Sequence, residues 1–224
     1  MFGAVGSAGG YLGGMAARLA CLLLGIGTFA LASCGAGGET ARTSSTPACH
    51  PADSHTLAAD PLARVYALSE VVYGCSERTG RVTRLGRANL CVGSARAGPF
   101  ALAAALAAYG LETCGVDTGF SQAVIRRLSD GKTLRSEAAI TGPVGPESYA
   151  AVRSIVARSS GGFAWIAVAS SIIGHGTVVE VHRADKHGAV RLDSGGTIDP
   201  SSLRLHGSTM SWKHGGARRS ARLD

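Results

Sequence analysis

The feature that most constrains the fold is an aromatic residue recurring between small or apolar neighbours. It appears as Tyr73 in VVYG, Tyr109 in AAYG, Trp165 in FAWI and Trp212 in MSWK. Short strand candidates precede these residues at 64–68, 100–102, 154–157 and 203–205. The first three aromatics are followed by charged hairpins, CSERTGRVTRLG, VIRRLSDGKTLRS and VEVHRADKHGAVRL, turning at Gly80, Gly131 and Gly188. A unit of about four strands repeating every 40 to 50 residues or so is the pattern of propeller blades. Hairpins at similar spacing also occur in other all-β chains, and that alternative stays open. Strand alternation would place the four aromatics at equivalent buried positions in successive sheets.

One stretch conflicts with that pattern. FALAAALAAYGLE, residues 100–112, is rich in the strongest helix formers, Ala and Leu. Its place in the repeat nevertheless predicts two strands joined near Ala104. With aromatics at 5% and 32 glycines, the core is expected to rest on Val, Ile, Leu and Ala, in short strands with many turns.

The N-terminal segment reads as an export signal. Residues 1–14 carry no charge, and Met15 is a second candidate start. Arg18 supplies a positive n-region, and 19–31 is an apolar run of signal-peptide length, too short to cross a bilayer comfortably. Leu31-Ala32-Ser33-Cys34 resembles the lipobox of bacterial lipoproteins. That resemblance implies lipidation of Cys34 and a mature protein on the outer face of the membrane. The same residues satisfy an A-x-A site at Ala30-Leu31-Ala32, which would yield a secreted protein. The expected organisation is a signal peptide with an N-terminal helix over 1–33, a flexible tether over 34–61, and one domain over 62–224.

Four cysteines follow the signal: Cys49, Cys75, Cys91 and Cys114. An even number in an oxidising compartment favours two disulfides, with three connectivities open. The sequential pairing, Cys49 with Cys75 and Cys91 with Cys114, is the one expected. No C-x-x-C spacing suggests a metal.

The formal charge is +7, from 22 Lys plus Arg against 15 Asp plus Glu. Much of the excess lies at the end, in Lys213, Arg218, Arg219 and Arg222. Such a cationic edge attracts anionic envelope polymers, lipid head groups or nucleic acid. Export and the lack of interleaved aromatics argue against nucleic acid. Basic residues on an edge strand also discourage aggregation, and this is the simpler expectation.

Catalytic signals are sparse. Val116-Asp117-Thr118-Gly119 contains the D-T-G triplet, and Ile172-Ile173-Gly174 is similar to the apolar segment behind the catalytic loop of retroviral-type aspartic peptidases. The resemblance implies that Asp117 would work in a homodimer, two carboxyls sharing a proton. Phe120 stands where that family has a small residue, and His175-Gly176 replaces its polar pair. As a turn former accepting backbone hydrogen bonds, Asp117 has a non-catalytic explanation. No nucleophile elbow, P-loop, zinc-helix or dinucleotide motif is present. The seven histidines are scattered, with His175 in a loop the best placed. No cofactor or metal is implied, and the balance favours a non-enzyme.

Across residues 62–223 the chain resembles the β-propeller-like repeat proteins among exported bacterial proteins. That resemblance implies an all-β array of about four small antiparallel sheets. It would be a binding or interaction module for an unidentified protein or envelope polymer, held at the membrane by its lipid.

Overall fold

The computed structural model describes residues 49–89, 95–114, 119–142, 148–171 and 176–224. The expected signal helix and Cys34 lie outside these residues. Every described strand belongs to the unit Thr43–Asp224, and no helix occurs among the described residues.

The strands run as successive antiparallel meanders. The first comprises β1 (His55–Asp60), β2 (Ala63–Leu68), β3 (Val71–Ser76) and β4 (Val82–Arg87). The second comprises β5 (Ala95–Ala103), β6 (Leu106–Cys114), β7 (Gly119–Arg127) and β8 (Thr133–Ala138). The third comprises β9 (Ser148–Ala157), β10 (Phe163–Ser171), β11 (Thr177–Asp185) and β12 (Gly188–Ser194). A last sheet has three strands: β13 (Arg204–His206), β14 (Thr209–His214) and β15 (Ala217–Arg222). A parallel pairing of Arg87 with Arg96 joins β4 to β5, so the first two meanders count as one eight-stranded sheet. The chain is therefore all-β with sheets of eight, four and three strands, and no sheet closes into a barrel among the described residues.

Residues 100–112 form the tip of β5 and most of β6, with Ala104 at φ 57° in the turn between them. Tertiary placement overrides helix propensity there, because β6 is covered on both faces. Leu106 and Ala108 pack toward the third meander, while Ala107 and Tyr109 pack toward the first. The same holds for β10, whose nearly unbroken apolar run reflects two buried faces. Phe163, Trp165 and Ala167 meet the second meander, and Ala164 and Ile166 meet the last sheet. Three apolar layers thus separate four successive sets of strands. The leading strands also pack in series, β1 on β5, β5 on β9 and β9 on β13.

Close approach between layers depends on missing side chains. A Cβ at Gly74 would sit 2.5 Å from Cδ2 of Leu128, so glycine on β3 lets the second meander close onto the first. Gly80, Gly131 and Gly188 take positive φ at the hairpin turns where the sequence placed them.

Two expectations need correction. The folded body starts before residue 62: β1 pairs with β2, and Cys49 is bonded to Cys75, so the stretch assigned to the end of the tether is structured. Tyr73 also differs from the other aromatics. Tyr109, Trp165 and Trp212 are buried, each facing the preceding layer, whereas Tyr73 is half-buried on the free face of the first meander. No sheet precedes it among the described residues; it stacks on Tyr66 with centroids 5.6 Å apart, beside the Cys49–Cys75 bridge.

Candidate functional site

The last sheet has one covered face and one open face. In β14 strict alternation sends Met210 and Trp212 inward, leaving Thr209, Ser211 and Lys213 on the other side. Cross-strand register extends that outer face to Arg222, Ser220 and Arg218 on β15, and to His206 and Arg204 on β13. The four basic residues that end the sequence are therefore divided. Arg219 turns inward to Asp193 at 2.9 Å, while Lys213, Arg218 and Arg222 face outward.

A turn over 199–202 builds a wall beside this face. Asp199 accepts from the Ser201 N–H at 2.9 Å and from its hydroxyl at 2.7 Å. The Ser202 hydroxyl donates to the Asp199 carbonyl and accepts from the Lys213 N–H at 2.8 Å, tying the turn to β14. Arg204 donates to the Ser201 and Leu203 carbonyls. Between wall and strands lies a groove of about 240 Å³, lined mainly by serine, Lys213, Arg204, Arg218 and Asp199. The Ser201 hydroxyl and N–H hold the Asp199 carboxyl below the usual range, helped by Lys213 and Arg204. It stays ionised in the groove.

Lys213 and Arg218 are direct cross-strand partners on this outer face. Like charges in that position repel. Arg222 is paired with Asp224 at 2.7 Å, but neither Lys213 nor Arg218 has an ion-pair partner among the described residues. An anion placed between them would relieve the repulsion.

Three further polar clusters hold neighbouring layers together. Asp193 accepts from Trp212 Nε1 at 2.7 Å, from His214 Nδ1 at 2.9 Å and from Arg219. Burial pushes its carboxyl up, and those donors more than reverse this, so its pKa is lowered. Glu180, fully buried, accepts from the Thr141 and Gly142 N–H groups, from Arg191 at 2.8 Å and from His182 at 2.8 Å. Burial raises it too, but the Thr141 N–H, Arg191 and His182 hold it below the usual range. His182 lies flat on Trp165 at 5.0 Å, and burial depresses its basicity with Glu180 only partly restoring it. Glu112, also buried, meets Arg96 and the Tyr149 hydroxyl at 2.5 Å. In none of these clusters do the residues named include a free nucleophile, so each reads as a latch between layers.

Of the residues singled out in the sequence, Asp117, Cys34, Cys91 and His175 lie outside the described residues. Cys49 and Cys75 form a disulfide with Cα atoms 5.5 Å apart. Cys114 is also disulfide-bonded. No group of three metal-ligating side chains occurs among the described residues. The buried Glu180–His182 pair was missed, although its i, i+2 spacing in VEVHRAD puts both side chains on one strand face. Asp193 was missed because its partners are distant in sequence. No known protein-family model matches the chain, and no curated protein matches it either.

Proposed function

We propose that the chain is a non-enzymatic, exported binding module of the cell envelope, anchored through a lipid on Cys34. Its body is read as a propeller-like array in which four sets of strands pack in series. Plain secretion after Ala32 is the competing form of the same reading. The observation that carries the binding role is the open outer face of β13–β15, with Lys213 and Arg218 opposed and in no ion pair among the described residues. Charge of one sign gathered on an unpaired face attracts an oppositely charged partner from a distance. The disulfide Cys49–Cys75 agrees with an oxidising destination.

The test has two parts, both on the full-length chain. Labelling with a lipid precursor in a bacterial host should mark the wild type and not Cys34→Ala; equal labelling of the two, or none, removes the anchor. Co-sedimentation with purified cell walls should be salt-sensitive and should weaken in the double variant Lys213→Gln/Arg218→Gln. Wall binding that is absent, or indifferent to those changes, overturns the binding role of this face.

A further inference from the structure

We infer that the groove beside β14 takes an acidic saccharide, a glycan carrying carboxylates among free hydroxyls. The inference rests on the binding role proposed above and names the ligand class for the same face. Its first support is the opposed pair Lys213 and Arg218, two cations that form no ion pair among the described residues, although Asp199 lies in the same groove. A carboxylate seated between them gains an ammonium on one side and a planar guanidinium fork on the other. The second support is Asp199, held ionised at the other wall of the groove by Ser201. An anion there repels a ligand with a charge on every unit but accepts hydrogen bonds from sugar hydroxyls. Ser211 lines the same groove and adds a hydroxyl able to donate and accept.

Other polyanions fit less well. A nucleic acid presents a phosphate on every nucleotide and draws on aromatic stacking, and the one aromatic beside the groove, Trp212, is buried with its N–H on Asp193. A lipid surface is broad, whereas the groove is walled by the 199–202 turn and carries a carboxylate. A saccharide with acid groups separated by hydroxyls satisfies both signs of charge at once.

Calorimetry on the full-length protein with a hyaluronan tetrasaccharide, whose carboxylates stand on every second sugar, should show binding that weakens with added salt. The methyl-esterified tetramer should not bind. Lys213→Gln/Arg218→Gln should weaken binding by roughly tenfold or more. The equal charge change Arg78→Gln/Arg81→Gln, at the exposed β3–β4 turn, should leave it within about twofold. Asp199→Asn should narrow the preference for the uronate over a single-stranded DNA oligonucleotide. Equal weakening by both double variants would show a general charge effect and overturn the site. So would tighter binding of wild type to the oligonucleotide, or to phosphatidylglycerol vesicles, than to the uronate. Salt-sensitive retention on cell walls without uronate binding would refute the ligand class while leaving the binding role standing.

Discussion

Replacing Trp165 by alanine is expected to be among the most damaging single changes in the fold. The indole is 1% exposed, with Phe163 on one side at 5.2 Å and His182 on the other at 5.0 Å. A buried ring of this kind removes about 200 Å² from water, which at ~25 cal/mol/Å² is about 5 kcal/mol, of which the alanine methyl keeps a part. The Nε1–H also donates to the Ala139 carbonyl at 2.9 Å, linking the third meander to the end of the second. Leaving that acceptor unsatisfied costs about 1 kcal/mol more. The total, about 4 to 5 kcal/mol, is a large share of the stability of a typical domain. Trp165→Phe separates the two contributions, since it keeps most of the stacked area and loses the donor; about 1 to 2 kcal/mol is expected. Urea unfolding should be followed by far-ultraviolet circular dichroism, because the variant removes one of only two tryptophans. A loss below about 2 kcal/mol for the alanine variant, or equal losses for alanine and phenylalanine, would refute the reasoning.

Reducing the bridge should loosen the first meander: Cys49 and Cys75 are separated by 26 residues, and Cys49→Ser/Cys75→Ser is expected to lower unfolding stability by about 3 kcal/mol in urea. An unchanged midpoint would show that packing of the 49–54 segment, and not the cross-link, holds it in place. Acid should weaken the molecule in two stages. Burial lowers His182, and the donors around Glu180 and Asp193 lower both carboxyls, so all three bind protons less readily folded than unfolded and stability falls as pH falls. The first stage starts near the ordinary histidine value of 6.5 and continues down toward the lowered pKa of His182; the second starts near 4.5 for Glu180 and 3.8 for Asp193. His182→Gln should flatten the dependence of the urea midpoint between about pH 7 and 5 while leaving the acid limb. Parallel curves for variant and wild type would rule out His182 as the sensor.

What could be read from the sequence was whatever depended on local chemistry. Gly80, Gly131 and Gly188 mark turns because few other residues accept their backbone, and these turns stand where the sequence put them. Tyr109, Trp165 and Trp212 were legible because large rings in a chain poor in aromatics must be buried somewhere. The strand β1 was not legible. HTLAAD is largely exposed and shows no clear alternation, and its conformation comes from pairing with β2. Nor could local pattern divide the basic tail, since Arg218 and Arg219 are adjacent in sequence but face opposite sides of one strand. Only the position of Asp193, on a neighbouring sheet, gives Arg219 its inward role.

The two ends of the stack differ in what their outer faces carry. At the first end an apolar face is already covered: Tyr66 is 3% exposed, and Arg64 lies over its ring while donating to the Cys49 carbonyl at 2.7 Å. The disulfide pins that cover to β3, with Tyr73 half-buried beside it. At the other end no segment among the described residues lies across the outer face of β13–β15, and the side chains themselves keep water there. Covering such a face with an apolar partner would strip water from Lys213 and Arg218, which is unfavourable unless an anion replaces it. A charged face at the end of a stack can serve simply as a solvated cap. Here Asp199 and Asp224 already mix acidic charge with the basic residues, and Lys213 and Arg218 are left opposed across the strands. Lys213 and Arg218, opposed and in no ion pair among the described residues, are the feature on which the proposed anion-binding role rests.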